Sequence, residues 1–235
     1  IGSAAVLQMD MKEAASIVKL ENRRVASLIG INQAARTTCV KPAGTTSLVL
    51  GTSSGIHAWH NKYYIRRMRV GKNEAIYGYL SKNHPELIKD EYFRPHDTAV
   101  IEIPQAAPKG SIVRTESAFD LLERVKRVAT DWVATGHKTG SNTHNVSATI
   151  SLKEKEWEEA GEWMWKNRNT YNGLSVLPYD GGTYTQAPFE DITKAKYDEM
   201  TKTLQEIDLT KVIEDTDNTD LSGELACAGG SCEII

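Results

Sequence analysis

Three features are scarce in this 235-residue chain, and each scarcity removes a class of protein. Cysteine is the first. Three residues, two of them (Cys227 and Cys232) close to the end, are too few for the disulfide framework of a small secreted domain. Long apolar runs are the second: no stretch approaches the roughly 18 residues that a helical membrane span needs. The third is charge of one sign. A balance of 28 Lys+Arg against 31 Asp+Glu leaves −3, which argues against a broadly basic nucleic-acid binder. What is present, 40% hydrophobic and 25% charged residues, suits a folded chain whose core needs no staples. No basic-then-apolar leader stands at the start, so a reducing cytoplasm is the expected compartment. The chain opens Ile1-Gly2-Ser3 without Met, and helical patterning begins by Asp10, which reads as a piece of something longer or a processed product.

The patterning alternates helices with short strands. Residues 10–29 read as a helix with Ala14, Ile17, Val18, Val25 and Leu28 near one face and Gly30 as its C-cap. A short strand over 36–40 is broken by Pro42-Ala43-Gly44, and a helical turn over 45–50 ends at Gly51. Then come a strand at 63–70, a helix at 73–82 and a strand at 99–103 closed by Pro104. Ser117 and Asp120 open a helix that runs to about 135. A strand at 144–150 sets Val146, Ala148 and Ile150 on one face; a helix to 166, a strand at 174–177 and a helix at 194–205 follow. This order favours α/β packing with largely parallel strands. Residues 1–211 are expected to form the folded body. Residues 212–235 hold no Lys or Arg and read as a mobile acidic tail.

Two segments could carry chemistry. In Cys227-Ala228-Gly229-Gly230-Ser231-Cys232 the small residues let the two thiols meet, and an accessible pair exchanges readily. Structural zinc would need four ligands, and no second pair is present; a redox pair and an incidental pair remain. In Cys39-Val40-Lys41-Pro42-Ala43-Gly44-Thr45-Thr46-Ser47 a turn leads into a helix start. Its small residues, free first-turn amides and the hydroxyls of Thr45, Thr46 and Ser47 could cradle a phosphate. It is not a P-loop, and an ordinary capped turn fits equally well. Cys39 reads as a buried packing residue, and His57 and His60 lack a nearby third metal ligand. Arg66, Arg67 and Arg69 read as a surface charge ladder, Trp59, Tyr63 and Tyr64 as core or interface aromatics, and Trp157, Trp163 and Trp165 as packing.

Taken together, these motifs resemble a known family. Thr37 to Ser47, then Gly55-Ile56-His57 and Tyr64-Ile65-Arg66-Arg67, look like the ribonucleotide reductase catalytic subunit. Asn145 to Ile150, Gly173 to Pro178 and Gln186-Ala187-Pro188-Phe189-Glu190 resemble its adenosylcobalamin-dependent class II. The resemblance implies a portion, the C-terminal one, of a ten-stranded α/β barrel, over about residues 10–235. It implies that Ala43, Gly44, Thr45, Thr46 and Ser47 hold substrate phosphates. It further implies that Cys227 and Cys232 re-reduce an active-site disulfide and are themselves reduced by a thioredoxin-like protein. The family's radical motif, Asn-x-Cys-x-Glu, is absent: Cys39 is flanked by Thr37 and Lys41. The expected partners are therefore a complementary N-terminal half carrying that motif, a thioredoxin-like reductant and a ribonucleoside di- or triphosphate, with no membrane and no nucleic acid. Adenosylcobalamin is implied for the complete enzyme, its contacts mostly outside this chain. A reductase with a separate metal-radical subunit and a non-catalytic thiol relay are the alternatives.

Overall fold

Asp10 starts the first long helix by accepting the Glu13 N–H on its side chain at 2.9 Å, and Gly30 ends it in the left-handed region at φ 71°. Such a cap is worth about 1 kcal/mol. The computed structural model describes residues 1–179 and 184–214. The tail with Cys227 and Cys232 lies outside the described residues. In chain order the helices are α1 (Ala4–Gln8), α2 (Met11–Ile29), α3 (Gly44–Val49), α4 (Ala75–Asn83), α5 (Ala118–Arg127), α6 (Trp157–Lys166) and α7 (Lys194–Thr203). The strands are β1 (Tyr63–Gly71), β2 (Ile88–Asp90), β3 (Thr98–Ala106), β4 (Thr149–Leu152), β5 (Ser175–Pro178) and β6 (Phe189–Asp191).

The chain divides into two units, Ile1–Trp59 with Pro108–Asp180, and His60–Ala107 with Gly181–Ile235. The first carries the larger core. Its α5 opens on a complete capping box between Ser117 and Asp120 and packs Leu121, Leu122 and Val125 against Val40, Ile56, Val146 and Ile150. The alternation read at 146–150 is borne out in burial, since Val146, Ala148 and Ile150 all point inward. Only Thr149–Leu152 is a strand, however, and it pairs in parallel with β5.

The second unit corrects the expectation of mostly parallel strands. Its sheet has the order β2-β3-β1-β6, and every pairing in it is antiparallel. The helix α4 between β1 and β3 imitates a βαβ unit in sequence. The three-residue β2, too short to show a period, supplies the hidden hairpin partner of β3, and a parallel return would need a longer crossover. Nor does Pro104 end β3, which continues to Ala106. β2 pairs only with residues Ala99 to Ile101, so beyond them that side of β3 is an edge, where a missing N–H costs no ladder bond. Among the described residues the two sheets have four and two strands, and neither closes on itself.

Candidate functional site

The turn at Lys41–Gly44 is held from behind by the last part of the helix expected to run to about 135. After α5 the helix widens into a π-helical stretch, Val128–Ala134. Such stretches commonly mark functional sites. This one and the turn that follows it grip residues 35–39. The Thr38 hydroxyl donates to the Trp132 carbonyl at 2.7 Å, and the Trp132 indole N–H donates back to the Cys39 carbonyl at 3.1 Å. The Thr37 N–H and hydroxyl both reach the Gly136 carbonyl, at 3.1 and 2.8 Å, and the Lys138 N–H reaches Ala35 at 2.9 Å. The expected strand at 36–40 is thus one bridge, Arg36 to His137, with the clamp in place of a ladder.

Gly136 permits the clamp because it has no side chain. A Cβ there would lie 2.0 Å from the Thr38 Oγ1 and 2.8 Å from the Thr38 Cβ, so no rotation of that buried threonine relieves the overlap. Gly136→Ala is expected to destabilise the first unit by about 2–3 kcal/mol, at the upper end of overpacking costs. A urea unfolding curve followed by circular dichroism checks this; an unshifted midpoint would show that the clamp yields freely.

The clamp delivers the chain to Ala43, whose N–H bonds the Lys41 carbonyl at 2.9 Å, and α3 begins at Gly44. Thr46 is exposed at this helix start. Ser47 is buried, and its hydroxyl donates to the Gly44 carbonyl at 2.8 Å, which leaves its oxygen only acceptor capacity. On the far side the chain folds back at Gly55 in the left-handed region (φ 55°). A Cβ on Gly55 would stand 3.2 Å from the Lys41 oxygen and the Pro42 Cα, so the returning segment lies directly on the turn. An apolar cavity of about 440 Å³ opens beside it, lined among others by Met9, Ala14, Val40, Thr46, Leu50 and Trp132. Cys39 borders this cavity and is exposed, which corrects the expectation of a packing cysteine.

Two polar side chains, Arg124 buried and His57 half-buried, fix the returning segment. Arg124 forms a bidentate pair with Glu116 at 2.6 and 2.5 Å and donates its Nε–H to the Ile56 carbonyl at 3.2 Å. His57 accepts the Thr149 N–H on Nε2 at 3.1 Å and donates from Nδ1 to the Ser54 carbonyl at 3.2 Å, which keeps the neutral ring in use at both nitrogens. Burial pushes its pKa below the ordinary 6.5, and Arg114 and Arg124 add to the effect, while the Ser54 bond and Glu116 oppose it. The unfolded chain therefore takes up this proton more readily than the native one. The resulting stability is whole above pH 6.5 and is lost as pH falls through the lower native value. His57→Gln is expected to flatten the decline in urea midpoint between pH 7.5 and 5, roughly one pKa unit being worth ~1.4 kcal/mol.

Among the described residues no three His, Cys, Asp or Glu side chains gather to hold a metal. Other expectations resolve individually. Arg67, half-buried, pairs with both Glu102 and Glu190, and Arg66 is buried 4.3 Å over the Phe189 ring, so only Arg69 of the three fits an outer ladder. Tyr64 is core; Trp163 packs on Tyr171 and bonds Glu123, but Trp165 is 72% exposed and is not a packing residue.

A clamped segment, a tight turn and a short helix thus lie against the α/β core of the first unit. Comparison with known proteins is more specific. The chain is 30% identical over 210 residues to the adenosylcobalamin-dependent ribonucleoside-triphosphate reductase of Lactobacillus acidophilus, covering 88% of this chain and 27% of that one. It is 29% identical over 201 residues to the enzyme of the same name from Euglena gracilis, covering 83% of this chain and 26% of that one. Its fold matches a crystal structure of a B12-dependent class II ribonucleotide reductase with a TM-score of 0.64 at 22% identity, over 81% of this chain and 27% of that one. No family model matches. The resemblance drawn from the motifs is borne out: over most of its length this chain is similar to part of a class II ribonucleotide reductase. It spans about a quarter of the length of the curated relatives it matches.

Proposed function

We propose that this chain is the C-terminal part of an adenosylcobalamin-dependent ribonucleotide reductase and works in the cytoplasm with a polypeptide that carries the Asn-x-Cys-x-Glu motif. The observation that supports this reading best is the turn itself. The motif residues Thr37 to Ser47 that resemble the family's phosphate-binding segment are the ones the π-helical clamp and Gly55 hold in a fixed bend beside a cavity. In this reading the amides of Gly44 to Thr46 and the Thr46 hydroxyl receive the phosphates of a ribonucleoside di- or triphosphate, while Ala43, its N–H held by Lys41, shapes the turn, and Ser47 supplies acceptor capacity behind it. The helix start contributes its positive dipole end, and Lys41 adds a cation at the rim. The strands β4 and β5 are then a portion of the family's ten-stranded barrel. Cys227 and Cys232 pass two electrons, as a dithiol going to a disulfide, into the active site, and a thioredoxin-like protein restores them.

The residues present do not fit adenosylcobalamin. The cavity, at about 440 Å³, is the size for a small ligand and far below that of a corrinoid with its nucleotide loop. The cofactor's radical chemistry therefore belongs to the complementary polypeptide.

Mixing this chain with the Asn-x-Cys-x-Glu-bearing reductase polypeptide of the same genome, with adenosylcobalamin, a thioredoxin system and a ribonucleoside triphosphate, is expected to yield deoxyribonucleotide. Neither polypeptide should do so alone. Product from the isolated 235 residues, or none from the mixture, would overturn the reading.

A further inference from the structure

The helix α2 is built inside out. Its buried side carries Met11, Ala15 and Ala26, two of them the smallest apolar side chain available. The stripe that its sequence periodicity marks as apolar faces away. Ile17 is 58% and Leu28 71% exposed, and Val18 and Val25 are each more than a third exposed. At 100° per residue these four side chains lie within about one third of the helix circumference. A face of this size left in water is characteristic of an interaction site, not of a free surface. Ala14 belongs to the same stripe and also lines the cavity beside the turn, so the helix face and the cavity mouth are one continuous apolar surface within the first unit.

We propose that this surface is where the remainder of the reductase polypeptide docks, laying an apolar segment along Ile17, Val18, Val25 and Leu28 and closing the cavity at Ala14. The inference rests on the reductase reading and adds to it the place of contact. Two observations select this occupant. The chain accounts for only 26–27% of the length of the relatives it matches, so most of the polypeptide that such a fold accompanies is elsewhere. The pair β4–β5, in the same unit as α2, is a parallel sheet of two strands whose β5 leaves Leu177 half exposed. Parallel strands are found inside larger sheets covered on both faces, and two of them do not stand alone. The first unit thus lacks both strands and a cover, and one polypeptide supplies them. Docking also closes the cavity behind Cys39 and Leu50, so the phosphate turn gains its rear wall only in the complex.

The test uses the full chain and the Asn-x-Cys-x-Glu-bearing polypeptide of the same genome. In isothermal titration the unaltered chain is expected to bind one to one. The double variant Ile17→Glu with Leu28→Glu should bind ~100-fold more weakly, two desolvated apolar anchors being worth about one decade each. Both side chains are exposed, and an unchanged circular dichroism spectrum verifies that the variant is folded. Hydrogen exchange on the unaltered chain supplies a second reading: residues 14–28 should gain protection on mixing. A complex that forms with unchanged exchange there, or that the double variant forms equally well, overturns the surface while leaving the reductase reading intact. A chain that instead pairs with itself through this face, becoming monomeric in the double variant, shows that the occupant is a second copy and overturns the proposal.

Discussion

Arg124→Met is expected to lower the stability of the first unit by about 3–5 kcal/mol, the cost of leaving one member of a buried ion pair alone. Methionine keeps most of the apolar stem, so the space the side chain fills changes little. What disappears is the fork that satisfies both Glu116 oxygens and the Ile56 carbonyl at once. The Arg124 and Glu116 side chains are 5% and 13% exposed, so water replaces little of that loss. Glu116 is then left charged in a poorly solvated place, or it takes up a proton. Replacing Glu116 by Gln as well should recover part of the deficit, since an amide needs no counter-charge. Urea midpoints of the single and double variants decide the matter. A loss below about 1 kcal/mol for Arg124→Met would show that the pair behaves as a surface salt bridge.

The second large effect concerns turnover. With Cys227 and Cys232 both replaced by serine, the complemented enzyme is expected to complete one turnover and then stop in the presence of thioredoxin. Serine cannot form the disulfide through which electrons are passed, whereas the first reduction draws on the dithiol already in place. A single-turnover measurement against a steady-state assay separates the two phases. Loss of both phases would mean that the pair does more than carry electrons. Undiminished steady-state turnover would mean that it carries none, and would favour an incidental pair.

How much could be read in advance varies with the length over which a signal repeats. α2 and α5 announce themselves through caps and a 3.6-residue period sustained over several turns, and both stand where expected. Which side of α2 is buried could not be read, because the apolar stripe is real but stands exposed among the described residues. The antiparallel sheet was hidden by the brevity of β2 and β6, three residues each, which show no period. Cys39 read as a core residue because it stands in a short strand-like run of small and apolar residues, and in the structure Thr38 and Val40 on either side of it are buried. Alternation along an extended segment puts the residue between them on the other side. The turn at Lys41–Gly44 was legible as a motif, and its support was not. The clamp depends on Gly136 lying against Thr38, about 100 residues apart, and a single glycine carries no such message.

The π-helical stretch has a consequence for how the gene can vary. A helix with the wider π hydrogen bonding holds a surplus residue compared with the same rise in α form, so Val128–Ala134 stores one residue of slack. Losing it would let the helix tighten without breaking, but everything after the deletion would swing by about 100°. The indole of Trp132 would then leave the Cys39 carbonyl, and the Gly136 notch would turn from Thr38. Homologous sequences that keep the Thr37–Ser47 motif should therefore keep the spacing from Ser117 to Gly136 to the residue, even where the side chains between them differ.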